Sequence, residues 1–312
     1  MRHHARQSGF ILLMSLVLVL LVGVALAGLA RRSAVTALQC QESVDRLQRR
    51  WAAKSCRASL LHRVPELLER GADEPGRGRE DVGVGPSAAK LRLTVHLAGR
   101  PYELVLTDEQ AKANINDLLG QTDRAETQSI ARRLVRESDA GGADTVLTPL
   151  LPVQDSPGRP LLAAVGGYGQ IFPTASPDRL VGSDGNGLAD AVTCWGDGLI
   201  NIHRAPDYVV KSVCDKPLGR DLVAALLAAR TQEPGRKLAA MLAGLDEFNA
   251  QRKAKVSRFL TDESTCYGLW VIVRGEQRRW YTLAVGVMED EGPRRDGGQR
   301  RWGVRQWYEF SW

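Results

Sequence analysis

The feature that most constrains this chain is an uninterrupted apolar run, FILLMSLVLVLLVGVALAGLA from Phe10 to Ala30, without a single charge. As a helix it would rise about 31 Å at 1.5 Å per residue, enough to cross the hydrocarbon core of a bilayer. The remainder is different in kind. The 312 residues are 44% hydrophobic and 25% charged with a net charge of +6, an ordinary balance for a folded domain that rules out a collagenous, disordered or multi-spanning chain. The expectation is one membrane helix over residues 10–30 carrying an extramembrane domain. Arg2 and Arg6 precede the run and Arg31 and Arg32 follow it, so flanking charge orients the helix only weakly.

Beyond Arg32 the pattern stays helical, with Val44, Leu47, Trp51, Ala58 and Leu61 at three- and four-residue spacing. This predicts an amphipathic continuation that packs on the domain and is limited by Pro65 and Gly71; a break near Ser33 into two helices is the alternative. Residues 73–87, rich in Gly, Pro and charge, read as a linker. Leu91, Leu93, Val95 and Leu97 then alternate with polar residues, Gly99-Arg100-Pro101 turns the chain, and Tyr102 to Leu106 completes a β-hairpin. From Asp108 the pattern changes to short helices and turns, clearest at Leu118-Leu119, Ile130 to Val135 and Leu222 to Ala229, too long a stretch for a loop. Strands return at Cys266 to Arg274 and Trp280 to Met288, with a last one at Trp302 to Phe310. The fold class is α+β. Residues 31–107 supply an amphipathic helix and the first strands, 108–257 a mainly helical insertion, and 258–312 the returning strands of an antiparallel sheet.

The N-terminal flank carries a resemblance. A short basic leader ends at Ser8-Gly9 and the apolar run starts abruptly at Phe10, which resembles the leader of type IV pilins and type II secretion pseudopilins. The resemblance implies a leader of residues 1–9, cleavage between Gly9 and Phe10 by a prepilin peptidase, a cytoplasmic N-terminus, and retention of the helix in the inner membrane with a periplasmic domain. A cleaved secretory signal ending near Ala25, Ala27 or Ala30 is the alternative. Helix, linker and hairpin follow in the order of the pilin fold. Most members have Glu at the fifth mature position, where this chain has Met14. A carboxylate inside a membrane is expensive unless paired, so its absence removes a device for joining beneath another subunit.

That departure is the habit of the minor pseudopilin K family, and two further segments resemble it. The first is Asp108-Glu109-Gln110-Ala111-Lys112-Ala113-Asn114-Ile115-Asn116, where Lys112, Asn114 and Asn116 match a K-x-N-x-N element. The second is Gly198 to Pro206, where Asn201, Ala205 and Pro206 match I-N-x-N-T-A-P, with His203 and Arg204 in place of Asn and Thr. Asn side chains in such segments bond the backbone of the following turn and cap the next helix, and Pro206 suits a first helical turn. The family's Asp-Trp-x-Asp stretch between the two segments is not evident. Phe259 to Tyr267, leading into Val271-Ile272-Val273-Arg274, resembles the return into the sheet. The implied role is a minor pseudopilin at the tip of a secretion pseudopilus, starting or capping the filament. Its implied partners are other minor pseudopilins, the major pseudopilin, the prepilin peptidase and the inner-membrane secretion platform.

Other classes find less support. There is no G-x-S-x-G, H-E-x-x-H, phosphate-binding loop or C-x-x-C, and His62, His96 and His203 are isolated, so no enzyme is expected. The alternative function is a minor pilin of a type IV or competence pilus that contacts DNA. Pro206 to Cys214, Asp215 to Gly219 and Arg220 to Arg230 read as helix, hairpin, helix, but with Gly219 as the hairpin's one glycine a structural αα-hairpin is favoured and nucleic acid is not expected. Basic pairs at Arg278-Arg279, Arg294-Arg295 and Arg300-Arg301 read as a solvated face. Calcium is the cofactor the resemblance implies. Asp184, Asn186 and Asp190, within Ser183 to Asp190, offer alternating oxygen ligands without the closing Glu of an EF-hand, and an Asx turn is the competing reading. Of the five cysteines, Cys40 and Cys56 on one helix would lie about 24 Å apart. Cys194 and Cys214 are the pair nominated for a disulfide, leaving Cys266 free.

Overall fold

The protein is described by a computed structural model, which covers residues 4–73, 89–138, 145–148, 164–182, 186–275, 278–290 and 302–311. The linker expected at 73–87 and the basic pairs at 294–295 and 300–301 lie outside the described residues, apart from Asp73. The chain divides into two units, Met1–Lys54 and Ser55–Trp312.

The described residues of the first unit all lie within helix α1 (His4–Leu60). Its most apolar window has a mean hydropathy of 3.1 and none of it is buried inside the protein, which makes it a candidate membrane anchor. A helix that is apolar on every side needs an apolar surrounding, and here Leu12, Leu16, Val19 and Leu20 all stand well exposed. Ser15, the one hydroxyl in the run, donates back to the Leu12 carbonyl (2.8 Å), so it enters an apolar medium already satisfied. Val44, Leu47 and Trp51, expected to face a core, are exposed as well, and Lys54 lies over the Trp51 ring at 5.7 Å.

In the second unit the end of α1 passes through a 3₁₀ turn (Leu61–Arg63) into α2 (Val64–Asp73). Pro65 does not end the helix, because in a first turn its missing N–H has no intrahelical acceptor to lose. Cys56, Leu61, Val64, Pro65 and Leu68 are buried, whereas Ala58 is exposed.

A five-stranded sheet follows, β1 (Lys90–Leu97), β2 (Arg100–Asp108), β7 (Cys266–Arg274), β8 (Arg279–Asp290) and β9 (Trp302–Ser311), in that spatial order and antiparallel throughout. The hairpin turn falls at Ala98-Gly99, not at Gly99 to Pro101; Arg100 and Pro101 already pair with Leu97 and His96. Between β2 and β7 run the bridges β3 (Ala113–Asn114), β4 (Val192–Thr193), β5 (Ile200–Asn201) and β6 (Leu260–Thr261), and helices α3 (Ile115–Gln121), α4 (Arg124–Glu137), α5 (Pro177–Val181), α6 (Asp207–Leu218), α7 (Arg220–Gln232), α8 (Leu238–Ala243) and α9 (Ala250–Val256). The arrangement is α+β, with a long N-terminal helix, an antiparallel sheet and a helical insertion.

Both faces of the sheet are covered. α2 and the 3₁₀ turn pack on the side bearing Leu104, Leu106, Leu269 and Val271, and the insertion packs on the side bearing Val105, Trp270, Leu283 and Val285. This explains why Cys266 to Val273 reads as an unbroken apolar run rather than an alternation. The insertion's core, including Leu134, Phe172, Val209 and Leu226, is continuous with that second face.

Candidate functional site

The segments singled out by sequence meet where the insertion leaves and rejoins the sheet. As β2 ends, a 3₁₀ turn (Glu109–Ala111) forms because the Asp108 carboxylate caps it, accepting from Gln110 N at 2.9 Å. That turn drives Glu109 inward to zero exposure, where bare burial of a charge would cost several kcal/mol. Four donors meet it instead: Lys112 Nζ at 2.6 Å, Thr193 Oγ1 at 2.6 Å, Thr107 Oγ1 at 2.7 Å and Tyr168 OH at 3.3 Å. Lys112 is itself 3% exposed and also reaches Tyr168 OH at 3.4 Å. The Tyr168 ring stacks on Trp270 of β7 (centroids 6.1 Å) and takes the edge of Trp195 (5.0 Å), so an aromatic ladder runs from sheet to insertion beside the charges. Burial pushes the Tyr168 hydroxyl well up, with Glu109 adding to the rise, so it serves as a neutral donor.

Asn114 caps the next helix, whereas Asn116 ties down backbone far away in sequence rather than the following turn. Asn114 Oδ1 caps α3, accepting from Asn116 N (2.9 Å) and Asp117 N (3.3 Å), and its amide donates to Trp195 O (3.0 Å) and Gly196 O (3.3 Å). The Asn116 amide donates to Cys194 O (2.8 Å) and Val165 O (2.9 Å), and its oxygen accepts from Val165 N (2.6 Å). Each Asn thus replaces a strand neighbour for irregular backbone that burial would otherwise leave unpaired.

The second segment closes the junction. Asn201 Oδ1 accepts from His203 N (2.9 Å), its amide donates to Ser264 Oγ (2.8 Å), and Ser264 donates to Asp108 Oδ2 (2.6 Å). His203 and Arg204, the departures from the expected motif, are used. His203 Nε2 pairs with Asp262 Oδ1 at 3.0 Å, and Arg204 reaches Asp108 at 3.3 Å and Glu69 of α2 at 3.7 Å. Burial holds the Asp108 carboxyl above the usual range, with Arg204 as the largest counterweight. Ala205 is buried, and Pro206 stands at the cap of α6 rather than inside its first turn. The turn is held by Arg230, which donates to Ile202 O and Ala205 O at 2.8 Å each.

Sequence reading missed three groups here. Asp197, two residues after Trp195, accepts from Gln110 Nε2 (2.6 Å) and Leu199 N (3.0 Å). Tyr168 and Thr193 had no local pattern to reveal them.

The remaining sites fare differently. Gly9 and Phe10 lie within α1 without a break, and Met14 is exposed on it. The nominated disulfide is absent: Cys194 and Cys214 are free, as are the other three cysteines, and both sit buried in the core. They pack as small apolar side chains, and burial pushes both thiols up, Cys214 to about 12. Of the calcium set, Asp184 lies outside the described residues. Asp190 Oδ2 accepts from Lys90 Nζ and Gly187 N, both at 2.7 Å. Gly187 has a steric role, since a Cβ there would stand 2.2 Å from Leu180 O. Among the described residues no group of three or more His, Cys, Asp and Glu is arranged to hold a metal. The expected hairpin of Asp215 to Gly219 is also corrected: α6 continues to Leu218 and one residue, Gly219, joins it to α7.

The fold and this junction define an α+β protein in which a candidate membrane helix carries a sheet, and buried polar side chains lock a helical insertion onto it. No protein-family model and no curated protein matches the sequence. Among solved structures, the chain is similar to one in the crystal structure of the GspK-GspI-GspJ complex from the type 2 secretion system of enterotoxigenic Escherichia coli, at 17% identity and a TM-score of 0.45, over 87% of this chain and 99% of that one.

Proposed function

We propose that this protein is a K-like minor pseudopilin of a type II secretion system, an assembly component without turnover. It is anchored by residues 10–30 in the inner membrane, its N-terminus cytoplasmic and its domain periplasmic. One observation carries the reading: the segments 108–116 and 198–206, far apart in sequence, are joined through Asp108, Ser264, Asn201 and Arg204 at the base of an insertion in a sheet that follows a long apolar helix. Buried polar side chains there are spent on one another, which suits a rigid part of an assembly. Met14 supports a place at the filament tip, because a subunit with nothing above it has no amine for a Glu to meet. Its partners on this reading are other minor pseudopilins, the major pseudopilin, the prepilin peptidase and the secretion platform.

N-terminal sequencing of the membrane-extracted protein, co-expressed with a prepilin peptidase, tests the reading. Phe10 should be the first residue, and Gly9→Ala should block the cut and retain residues 1–9. A mature terminus following Ala25, Ala27 or Ala30 would refute it, as would a G9A protein of unchanged size and terminus. Co-purification with minor pseudopilins but not with the major subunit alone would support the tip position.

A further inference from the structure

Past the apolar run, α1 carries a second row of large apolar side chains that stands exposed: Val44, Leu47 and Trp51 are 53%, 55% and 62% exposed. With Ala37 and Cys40 before them, they fall at alternating spacings of three and four residues, the repeat of a coiled-coil seam. Ala37, Val44 and Trp51 hold one seam position of the heptad, and Cys40 and Leu47 the other. At about 100° per residue the seam lies across the helix from the adjacent pair Ala52 and Ala53, which are buried. The same phase traced back into the apolar run passes through Ala30 and Gly23, small residues that let helices approach closely in lipid, and the space beside Gly23 is open. The membrane itself does not cover the row. Trp51 stands about 31 Å of helix beyond Ala30, past the headgroup layer.

We infer that this seam packs on the seam of a second copy of the chain, forming a parallel, in-register, two-stranded coil. Two chains anchored by residues 10–30 in one membrane hold their helices parallel and at one height, so like residues meet layer by layer. A different partner would have to match both the depth of the anchor and the phase of the repeat. The flanks are compatible with self-pairing. In a parallel pair Thr36 and Ser43 of one copy face Gln41 and Gln48 of the other, so no like charges are brought together. Glu42 and Arg46, an ion pair at 3.6 Å, lie on the far side of the helix. The pair rests on the anchor proposed above and needs nothing else of the pseudopilin reading. Subunits stacked along a filament differ in height and would set unlike levels side by side, so this contact is a separate one.

Cys40 reports on the register, being the exposed one of five free cysteines. Two Cys40 in one layer come within the roughly 4.4–6.8 Å that a disulfide spans between Cα atoms, and a slip of one turn, about 5.4 Å, would carry them beyond it. The full chain is co-expressed with two different epitope tags, and its membranes are treated with copper-phenanthroline and air, which take up the two electrons and two protons that the thiols lose. A non-reducing gel should show a dimer carrying both tags, and C40S should lose it. In the C40S background L47C should restore the dimer, whereas E42C, on the far side, should give at least about tenfold less, the difference that 1.4 kcal/mol of pairing makes. L47D, which sets an unpaired carboxylate in the seam, should cut the Cys40 dimer by a similar factor. Leu47 is exposed, so that substitution leaves the packing of the domain untouched. Membrane-bound protein without a Cys40 dimer would overturn the inference and leave the anchor standing, and protein recovered outside the membrane would overturn both. A product joining one tag to a foreign protein, or equal crosslinking from E42C and L47C, would overturn it too.

Discussion

Replacing Lys112 by methionine removes the one cation from a carboxylate with no exposure and leaves Glu109 its three hydroxyl donors, Thr107, Thr193 and Tyr168. Methionine fills much the same volume, so the loss is electrostatic rather than a cavity. Breaking a buried ion pair on one side costs about 3–5 kcal/mol, a large part of the roughly 5–15 kcal/mol that holds a domain together. For a unit of this size each kcal/mol lowers the melting temperature by about 2–4 °C, so K112M should melt about 6–20 °C below wild type. The measurement is thermal unfolding of the full chain by circular dichroism, with K112M, E109Q and the double variant forming a cycle. Removing both charges avoids the stranded carboxylate, so E109Q/K112M should be more stable than the two single losses add to, with a coupling of at least about 2 kcal/mol. A K112M melt within about 2 °C of wild type, or additive single effects, would refute the claim that the pair is a buried and mutually dependent unit.

Asn114→Ala removes the α3 cap and two donors to the Trp195 and Gly196 carbonyls, and should cost about 2–4 kcal/mol by denaturant titration; Asn114→Asp keeps the cap and should cost less. Gly219→Ala should destabilise the α6–α7 corner by about 1–3 kcal/mol, because φ there is +91° and a Cβ would lie 2.3 Å from Arg252 Nη2. For Asp108, burial raises the folded-state carboxyl above its unfolded value, so the folded protein holds the proton longer. Stability from this group therefore falls as pH rises from about the unfolded value to the raised folded one, and D108N lacks that term. Plotting the wild-type minus D108N stability from pH 4 upward should give a falling difference that then levels; a rising one would contradict the burial argument.

How much of this was legible in the sequence depended on the physics that wrote each part. The long apolar helix and the strands at Leu91, Tyr102, Cys266 and Trp280 were readable because each writes itself as an apolar run or an alternation. Two-residue bridges such as β5 and β6 are shorter than any period, so the parallel contacts that stitch the insertion were invisible. Asp108 and Glu109 look like surface acids in sequence, and only their partners make them interior. Those partners lie far off, Tyr168 at 59 residues from Glu109 and Thr193 at 84. Lys112, Asn114, Asn116 and Asn201 were found through resemblance, and the structure supplies the reason for each. The cysteine pairing failed because spacing around a motif says nothing of whether two thiols share a packed interior.

The adjacency of β2 and β7 has a consequence for how the chain acquires its structure. Asp108 and Ser264, bonded across that border, are 156 residues apart in sequence. Closing a loop of that length costs about 4–5 kcal/mol of chain entropy before any contact repays it. The β1–β2 hairpin forms early on a short turn, yet the long edge of β2 stays unpaired until everything between has been made and folded, a state in which exposed strand edges invite wrong neighbours. A substitution deep in α4 or α7, far from any strand, should show itself first as slow or failed closure of β7 against β2.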